Sequence, residues 1–141
     1  MATRAVQAVT TSEVVSKPFP DVNTNTWHAK YIKSAKARTV VSGYPDGYFR
    51  PDEAVNKVEA LKIITRTWST DFSNVNLNNL KSYSDLSADQ WYAPYVASGL
   101  DQGLVGPNAT LNTATGSFAP ADYLTRSEIA DLIYAMIQKR F

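Results

Sequence analysis

The sequence contains no cysteine among its 141 residues and only one histidine, His28. The lack of cysteine excludes disulfide bridges, zinc sites built on thiolates and cysteine nucleophiles. His28 follows a tryptophan in a predicted helix and has no pattern of metal ligands around it. Because an enzyme needs a positioned nucleophile, base or metal set, we predict no catalytic residues, no metal site and no cofactor.

The sequence also has no large excess of positive or negative charge and no long apolar run. The formal net charge is +1, and basic and acidic residues are interspersed, so we expect no basic face that would attract nucleic acid. No stretch is long and apolar enough for a membrane span or for the core of a secretory signal. If the protein is exported, we expect this sequence to be either its mature form or a recombinant version of it.

Aromatic and acidic residues recur at a fixed spacing. The segment Phe19-Pro20-Asp21-Val22, followed by Trp27, returns as Tyr83-Ser84-Asp85-Leu86, followed by Trp91, and the offset is 64 residues for both the aspartate and the tryptophan. A short helical pattern comes after each tryptophan. We predict that both tryptophans fill the core between the helices of their repeat, since buried aromatic rings contribute large packing energies.

The recurrence predicts two repeats, at residues 19–70 and 83–141, joined by an Asn- and Ser-rich linker at residues 71–82. Residues 1–18 leave three interpretations open. They resemble the last helix of a truncated earlier repeat, but their Val and Thr content also favours a strand-forming arm. Disorder at a chain terminus is the third interpretation.

The second helix of each repeat has a start that the sequence specifies locally. Thr125 is predicted as the N-cap and Glu128 as its reciprocal partner, which is a capping box. Asn56 and Glu59 give the same arrangement in the first repeat. The apolar residues of the last helix form a stripe predicted to face the core: Ile129, Leu132, Ile133, Met136 and Ile137.

Two polar segments are interpreted as turns. Pro45 and Gly47 occupy the second and fourth positions that a type I turn prefers. Asp21 begins a segment like a calcium-binding loop, but its sixth residue is Thr26 and not glycine, so we reject a calcium site. Asp85 lies in a similar segment and is interpreted as a turn or capping residue.

Together, these motifs resemble the S-layer-homology domain of bacterial surface proteins. The resemblance rests on the segment around Asp21, on Trp27, on the glycine-rich segment Gly43 to Pro51 and on Thr125-Arg126-Ser127-Glu128, and it extends from about Phe19 to the C-terminus. It implies a mostly α fold of tandem helix-loop-helix repeats around a shared helical bundle. Such repeats usually come in threes.

The resemblance also implies a ligand, an acidic secondary cell-wall polysaccharide that often carries ketal-linked pyruvate. The arginine of the family's Thr-Arg-Ala-Glu motif is commonly a ligand, and that role falls on Arg126 and, in Asn56-Lys57-Val58-Glu59, on Lys57. A guanidinium at a helix start suits a carboxylate, because free N–H groups and the helix dipole favour an anion there. The remaining candidate ligands lie in the turn or beside the second tryptophan: Tyr44, Asp46, Gly47, Tyr48 and Tyr92.

Two functions remain open. The first is a non-catalytic anchor on the bacterial cell surface that binds wall polysaccharide. The alternative is a structural protomer that assembles with copies of itself into a layer or filament. Two repeats in a family that usually has three would leave an apolar groove for another subunit, and the Val-rich N-terminal arm could cross to a neighbour.

Overall fold

The computed structural model describes residues 16–68, 71–113 and 116–140, and within these ranges the fold is mostly α, as predicted. The N-terminal segment, except for its last three residues, lies outside the described residues. In chain order the elements are α1 (Ala29–Ala37), α2 (Lys57–Trp68), a 3₁₀-helix (Leu77–Ser82), α3 (Ala93–Asp101), β1 (Val105–Gly106), β2 (Leu111–Asn112) and α4 (Arg126–Arg140). The described residues form two compact units, an N-terminal unit that ends at Glu53 and a C-terminal unit that begins at Ala54.

A small apolar cluster forms the core of the N-terminal unit. Helix α1 contributes Ala29 and Ile32, and the chain before it contributes Phe19 and Val22. Phe49 packs against this cluster, and its ring stacks on that of Phe19 with 5.1 Å between the centroids. The loop after α1 is therefore held against the helix by an aromatic pair.

The predicted turn is present in that loop. The N–H of Gly47 donates to the carbonyl of Tyr44 at 2.9 Å, and the N–H of Tyr44 donates to the carbonyl of Tyr48 at 2.8 Å. Gly43 adopts a φ of +74°, and a Cβ atom there would lie 2.7 Å from Cε1 of Phe19. Glycine is required at residue 43 for two reasons. Other residues rarely adopt this φ, and a Cβ atom would clash with the ring of Phe19.

Helices α2, α3 and α4 surround the core of the C-terminal unit. The 3₁₀-helix packs on α3 and inserts Leu80, so the segment predicted as a linker supplies a core residue. The strands β1 and β2 form one short parallel pair. The largest fully buried apolar side chains of this unit are Phe118, Leu61, Leu80, Leu104, Leu132 and Met136.

The apolar stripe of α4 is only partly buried. Leu132 and Met136 are fully buried, as predicted, but Ile133 and Ile137 are 37% and 39% exposed. The prediction of a wide core-facing stripe was therefore wrong for these two positions. Helix α4 contacts the core along the narrow line of Leu132 and Met136. Ile133 and Ile137 form an apolar strip beside that line that remains in contact with solvent.

Two aspartates tie distant backbone segments together. The carboxylate of Asp21 accepts hydrogen bonds from the N–H groups of Phe49 and Arg50 at 3.0 and 2.6 Å. In the same way Asp85 accepts from Phe118 and Ala119 at 2.8 and 2.7 Å. Arg50 and Ala119 have φ values of 57° and 56°, a left-handed conformation that non-glycine residues seldom adopt. The carboxylates hold this conformation in place.

These hydrogen bonds also change the acidity of both aspartates. Desolvation favours the neutral carboxyl group, but the backbone N–H groups outweigh it, so the pKa of Asp21 and of Asp85 lies below the ordinary value of 3.8. A lowered pKa means that the charged carboxylate stabilises the fold. This stabilisation is complete above the ordinary pKa and is lost as the pH falls through the lower pKa of the folded state.

The substitution Asp85→Asn should lower the free energy of unfolding at neutral pH by about 1–2 kcal/mol, because the hydrogen bonds lose their charged acceptor. Urea unfolding between pH 7 and pH 2 measures this difference, which should shrink as the pH falls below about 4. Asp131→Asn, at an exposed position of α4, is the matched control and should stay close to wild type. A gap that is constant over the whole pH range would show that the charge of Asp85 is not its origin.

Candidate functional site

Helices α2 and α4 begin next to each other. The N–H of Lys57 donates to the carbonyl of Asp122 at 2.8 Å, and the N–H of Leu124 donates to the carbonyl of Val55 at 3.2 Å. The two segments that lead into the helices are thus paired, and the helices pack on each other beyond this point. Lys57 and Arg126, the two residues that the family resemblance predicts as ligands, are the first residues of these two helices.

Both predicted capping boxes are confirmed. The N–H of Thr125 donates to Oε2 of Glu128 at 2.7 Å, and the N–H of Glu128 donates to Oγ1 of Thr125 at 3.2 Å. Asn56 and Glu59 exchange the equivalent bonds at 3.0 and 2.9 Å. The backbone N–H and the hydroxyl of Thr125, helped by the charge of Lys57, lower the pKa of Glu128. The caps fix where each helix starts and so which residue occupies its first turn.

The start of α4 is open, in the sense that no described residue accepts hydrogen bonds from its first two backbone N–H groups. Arg126 is exposed, and within the described ranges its guanidinium makes no hydrogen bond or ion pair. The N–H groups of Arg126 and Ser127 lie in the first turn, where a helix has no acceptor of its own, and no described residue accepts from them. A guanidinium and two free N–H groups at the positive end of a helix dipole are suited to hold an anion.

The start of α2 is closed, in the sense that another segment of the chain accepts hydrogen bonds from its first two backbone N–H groups. The N–H groups of Lys57 and Val58 donate to the carbonyls of Asp122 and Pro120. The ammonium group of Lys57 donates to the carbonyl of Phe118 and lies 5.1 Å from the centroid of its ring. The segment from Phe118 to Asp122 therefore occupies the place that an anion would take at α2. The motif alone does not reveal this difference between the two helix starts.

The turn residues of the predicted site belong to the N-terminal unit. The guanidinium of Arg50 lies 4.3 Å from the ring centroid of Tyr44 and forms an ion pair with Asp46. Asp46 also accepts a hydrogen bond from the N–H of Tyr48 at 3.0 Å. Asp46 thus serves the turn itself, whereas Tyr48 is 46% exposed and presents aromatic surface. Gly47 supplies a φ of +86° beside them.

The prediction that both tryptophans are buried was wrong. Trp27 is 77% exposed and Trp91 is 53% exposed. The residues that enter the core at these helix starts are Ala29 and Ala93, two positions after each tryptophan. Tyr92 is half-buried, and its ring centroid lies 5.8 Å from that of Trp91.

Each tryptophan instead pairs with the tyrosine that follows four residues later. The ring centroids are 6.2 Å apart for Trp27 and Tyr31, and 6.4 Å apart for Trp91 and Tyr95. Residues four apart are neighbours on a helix surface, so this spacing was the signal in the sequence for a surface pair. Both units therefore present an aromatic surface at the start of a short helix.

The described part of the chain contains no group of three or more histidine, cysteine, aspartate or glutamate side chains placed to hold a metal ion. Among the described helices, none combines the length and the apolar character needed to cross a membrane.

One region of the chain matches a known protein family. Residues 18–61 match the family model of the S-layer homology domain. This range contains Asp21, Trp27, the turn around Gly47 and the first capping box. It runs from the N-terminal unit into α2 of the C-terminal unit. No solved structure is significantly similar to the chain.

Curated relatives resemble nearly the whole chain. A cellulosome-anchoring protein of Acetivibrio thermocellus is 26% identical over 92% of this chain. An amylopullulanase of Thermoanaerobacterium thermosulfurigenes is 29% identical over 90%, and a surface-layer 125 kDa protein of Lysinibacillus sphaericus is 29% identical over 94%. The chain spans 26%, 7% and 11% of the length of these three relatives.

Proposed function

We propose that this chain is a non-catalytic, extracellular domain that binds acidic cell-wall polysaccharide and attaches protein to the bacterial surface. We further propose that it contains two S-layer homology repeats, at residues 19–70 and 83–141, of which the family model matches part of the first. The observation that carries the functional proposal is the open start of α4, where the side chain of exposed Arg126 and the backbone N–H groups of Arg126 and Ser127 have no acceptor among the described residues.

The chemistry of this start favours a carboxylate. A guanidinium can bind both oxygens of a carboxylate through two parallel hydrogen bonds, and the free N–H groups and the helix dipole add to the attraction. A ketal-linked pyruvate would supply such a carboxylate on a sugar. Lys57, engaged with the carbonyl of Phe118, would contribute long-range charge and not a direct contact.

The relatives support the proposal that this chain is a module whose role does not depend on the activity of the protein that contains it. Their names are those of a cellulosome-anchoring protein, an amylopullulanase and a surface-layer protein, and this chain spans 26%, 7% and 11% of their respective lengths. A segment common to such different proteins is expected to serve what they share and not their separate activities. Attachment to the cell surface is the shared role that we propose.

The substitution Arg126→Ala should weaken binding to purified wall polysaccharide by roughly 10- to 100-fold, the effect of losing hydrogen bonds to a charged ligand. Arg126→Lys should recover part of the loss, because it keeps the charge but not the paired hydrogen bonds. Co-sedimentation with purified cell walls, over a series of protein concentrations, measures the affinity.

Arg140→Ala is the matched control, since it removes the same side chain from the exposed last turn of α4. Lys57→Ala should lower the free energy of unfolding while changing the affinity of the folded protein less than Arg126→Ala does. Equal affinities for wild type and Arg126→Ala would contradict the assignment of this arginine.

A second candidate function is self-assembly into a layer or filament. The exposed apolar strip of α4, formed by Ile133 and Ile137 and flanked by the 64% exposed Tyr134, favours it. Contact with another copy of the chain would remove this surface from water. Sedimentation velocity over a concentration series distinguishes the two functions, because assembly predicts concentration-dependent oligomers and a simple anchor predicts monomers throughout.

A further inference from the structure

The apolar strip of α4 is part of a longer exposed face of that helix. Ile133 and Ile137 are 37% and 39% exposed, and Tyr134 is 64% exposed. Ala130 and Arg126, which come earlier in the helix, are also exposed. Neighbouring members of this set are three or four residues apart, so all five lie on one side of the helix. We call this side, from Arg126 to Ile137, the α4 face.

The α4 face points away from the core of its own unit. Leu132 and Met136, on the opposite side of the helix, are the residues that α4 buries. Within the described ranges, neither the guanidinium of Arg126 nor the hydroxyl of Tyr134 makes a hydrogen bond or an ion pair. Because apolar surface in contact with water is unfavourable, this face is suited to pack against another apolar surface.

The charges around the α4 face favour a second copy of the same helix in antiparallel orientation. In a parallel pair each charge would meet its own equivalent, so that Arg126 would face Arg126 and Asp131 would face Asp131. In an antiparallel pair opposite ends of the helix meet. Asp122, exposed just before α4, then lies toward Lys139 and Arg140, the cations of the last turn of the second copy. Only the antiparallel pair is complementary in charge.

Ala130 determines how the two helices are aligned. Its small side chain allows two helix backbones to approach closely. With Ala130 of both copies at the crossing point, the aliphatic stem of Arg126 lies beside Ile133 of the second copy, where it can pack on apolar surface. An alignment centred three residues later would place Arg126 beside Arg140 of the second copy, and these two cations would repel each other.

We propose that a second copy of this chain docks on the α4 face in antiparallel orientation, with the two-fold axis at Ala130. Both copies use the same surface, so the contact closes at two chains and gives a dimer, not a layer or filament. The contact also covers Arg126, so a paired chain has no open anion site at the start of α4. This last consequence rests on the proposed function, whereas the contact itself rests on the α4 face.

Sedimentation velocity of the full chain tests the contact. Because the α4 face is smaller than a standard interface, we expect a dissociation constant of roughly 0.1–1 mM. Ile137→Ser should weaken dimer formation roughly tenfold, because it removes apolar contact area. Leu77→Ser is the matched control, since Leu77 is 40% exposed and lies in the 3₁₀-helix, and it should leave the equilibrium unchanged. A monomer at every concentration, growth beyond the dimer or equal effects of the two variants would overturn the proposal.

Single cysteines test the orientation, because the chain has no cysteine of its own. Ala130→Cys places two thiols at the two-fold axis, where the Cα atoms are close enough for a disulfide, within about 7 Å. Ile137→Cys keeps them about 21 Å apart along the helices, since each copy of residue 137 lies two turns from the axis. Ala130→Cys should therefore oxidise to a dimer quickly, and Ile137→Cys only at the random-collision rate of Leu77→Cys. Fast oxidation of both α4 variants, or slow oxidation of Ala130→Cys, would contradict the antiparallel contact.

Binding to cell walls separates this proposal from the proposed function. The oxidised Ala130→Cys dimer should bind walls roughly 10- to 100-fold more weakly than the same variant after reduction, the loss expected for Arg126→Ala. If the dimer forms but binds walls as tightly as the reduced chain, the contact stands and Arg126 is not the wall ligand. If wild type stays monomeric and binds walls through Arg126, the anchor function stands and the proposed contact is wrong.

Discussion

Replacement of Phe118 by alanine should lower the free energy of unfolding of the C-terminal unit by roughly 3–5 kcal/mol. The side chain is fully buried, and its ring meets that of Tyr83 edge to face with 5.4 Å between the centroids. Its backbone N–H donates to Asp85, and its carbonyl accepts from Lys57. Removal of the ring leaves a cavity at the point where these contacts converge, so little relaxation is expected to offset the loss.

Urea unfolding followed by circular dichroism measures this effect. Tyr134→Ala is the matched control, because it removes an aromatic ring of similar size from a position on α4 that is 64% exposed. The control should stay within about 0.5 kcal/mol of wild type. A Phe118→Ala protein as stable as that control would mean that the ring does not belong to the core.

Gly43→Ala should destabilise the N-terminal unit by roughly 2–4 kcal/mol. Two separate costs add up at this residue. A φ of +74° is unfavourable for alanine, by about 1–2 kcal/mol. The new Cβ atom would also lie 2.7 Å from Cε1 of Phe19 and 2.9 Å from the carbonyl oxygen of Tyr48, which forces a core ring or the backbone to move.

The chain offers a control that isolates the steric part. Gly47 has a φ of +86°, but a Cβ atom there would meet nothing within 4 Å. Gly47→Ala should therefore show only the conformational cost, about 1–2 kcal/mol. Native-state hydrogen exchange of the α1 amides reports the opening free energy of this unit. Equal losses in the two variants would show that the contact between residue 43 and Phe19 does not constrain the fold.

The sequence predicted the features that depend on neighbours a few residues away. The capping boxes at Thr125 and Asn56 form within one turn of helix, and the turn around Gly47 forms within four residues, so local chemistry decides them. The repeated tryptophan and aspartate likewise marked equivalent positions in both halves. The family match over residues 18–61 confirms the resemblance for that region.

Features that depend on tertiary packing were missed. The aspartates bind backbone groups about 30 residues later, and nothing near Asp85 in the sequence points to Ala119. Trp91 was predicted in the core, but it is 53% exposed, and the core position at this helix start belongs to Ala93. The closed start of α2 and the open start of α4 have similar motifs, and they differ only because the chain around Pro120 folds over Lys57.

The most direct test of the proposed function compares wild-type binding to two preparations of the same cell walls, one intact and one stripped of its secondary polysaccharide by mild acid. If the chain anchors proteins through this polymer, it should sediment with the intact walls and remain in solution with the stripped ones, and Arg126→Ala should remain largely in solution with both. Equal sedimentation of wild type with both preparations would contradict the proposal that the polysaccharide is its ligand.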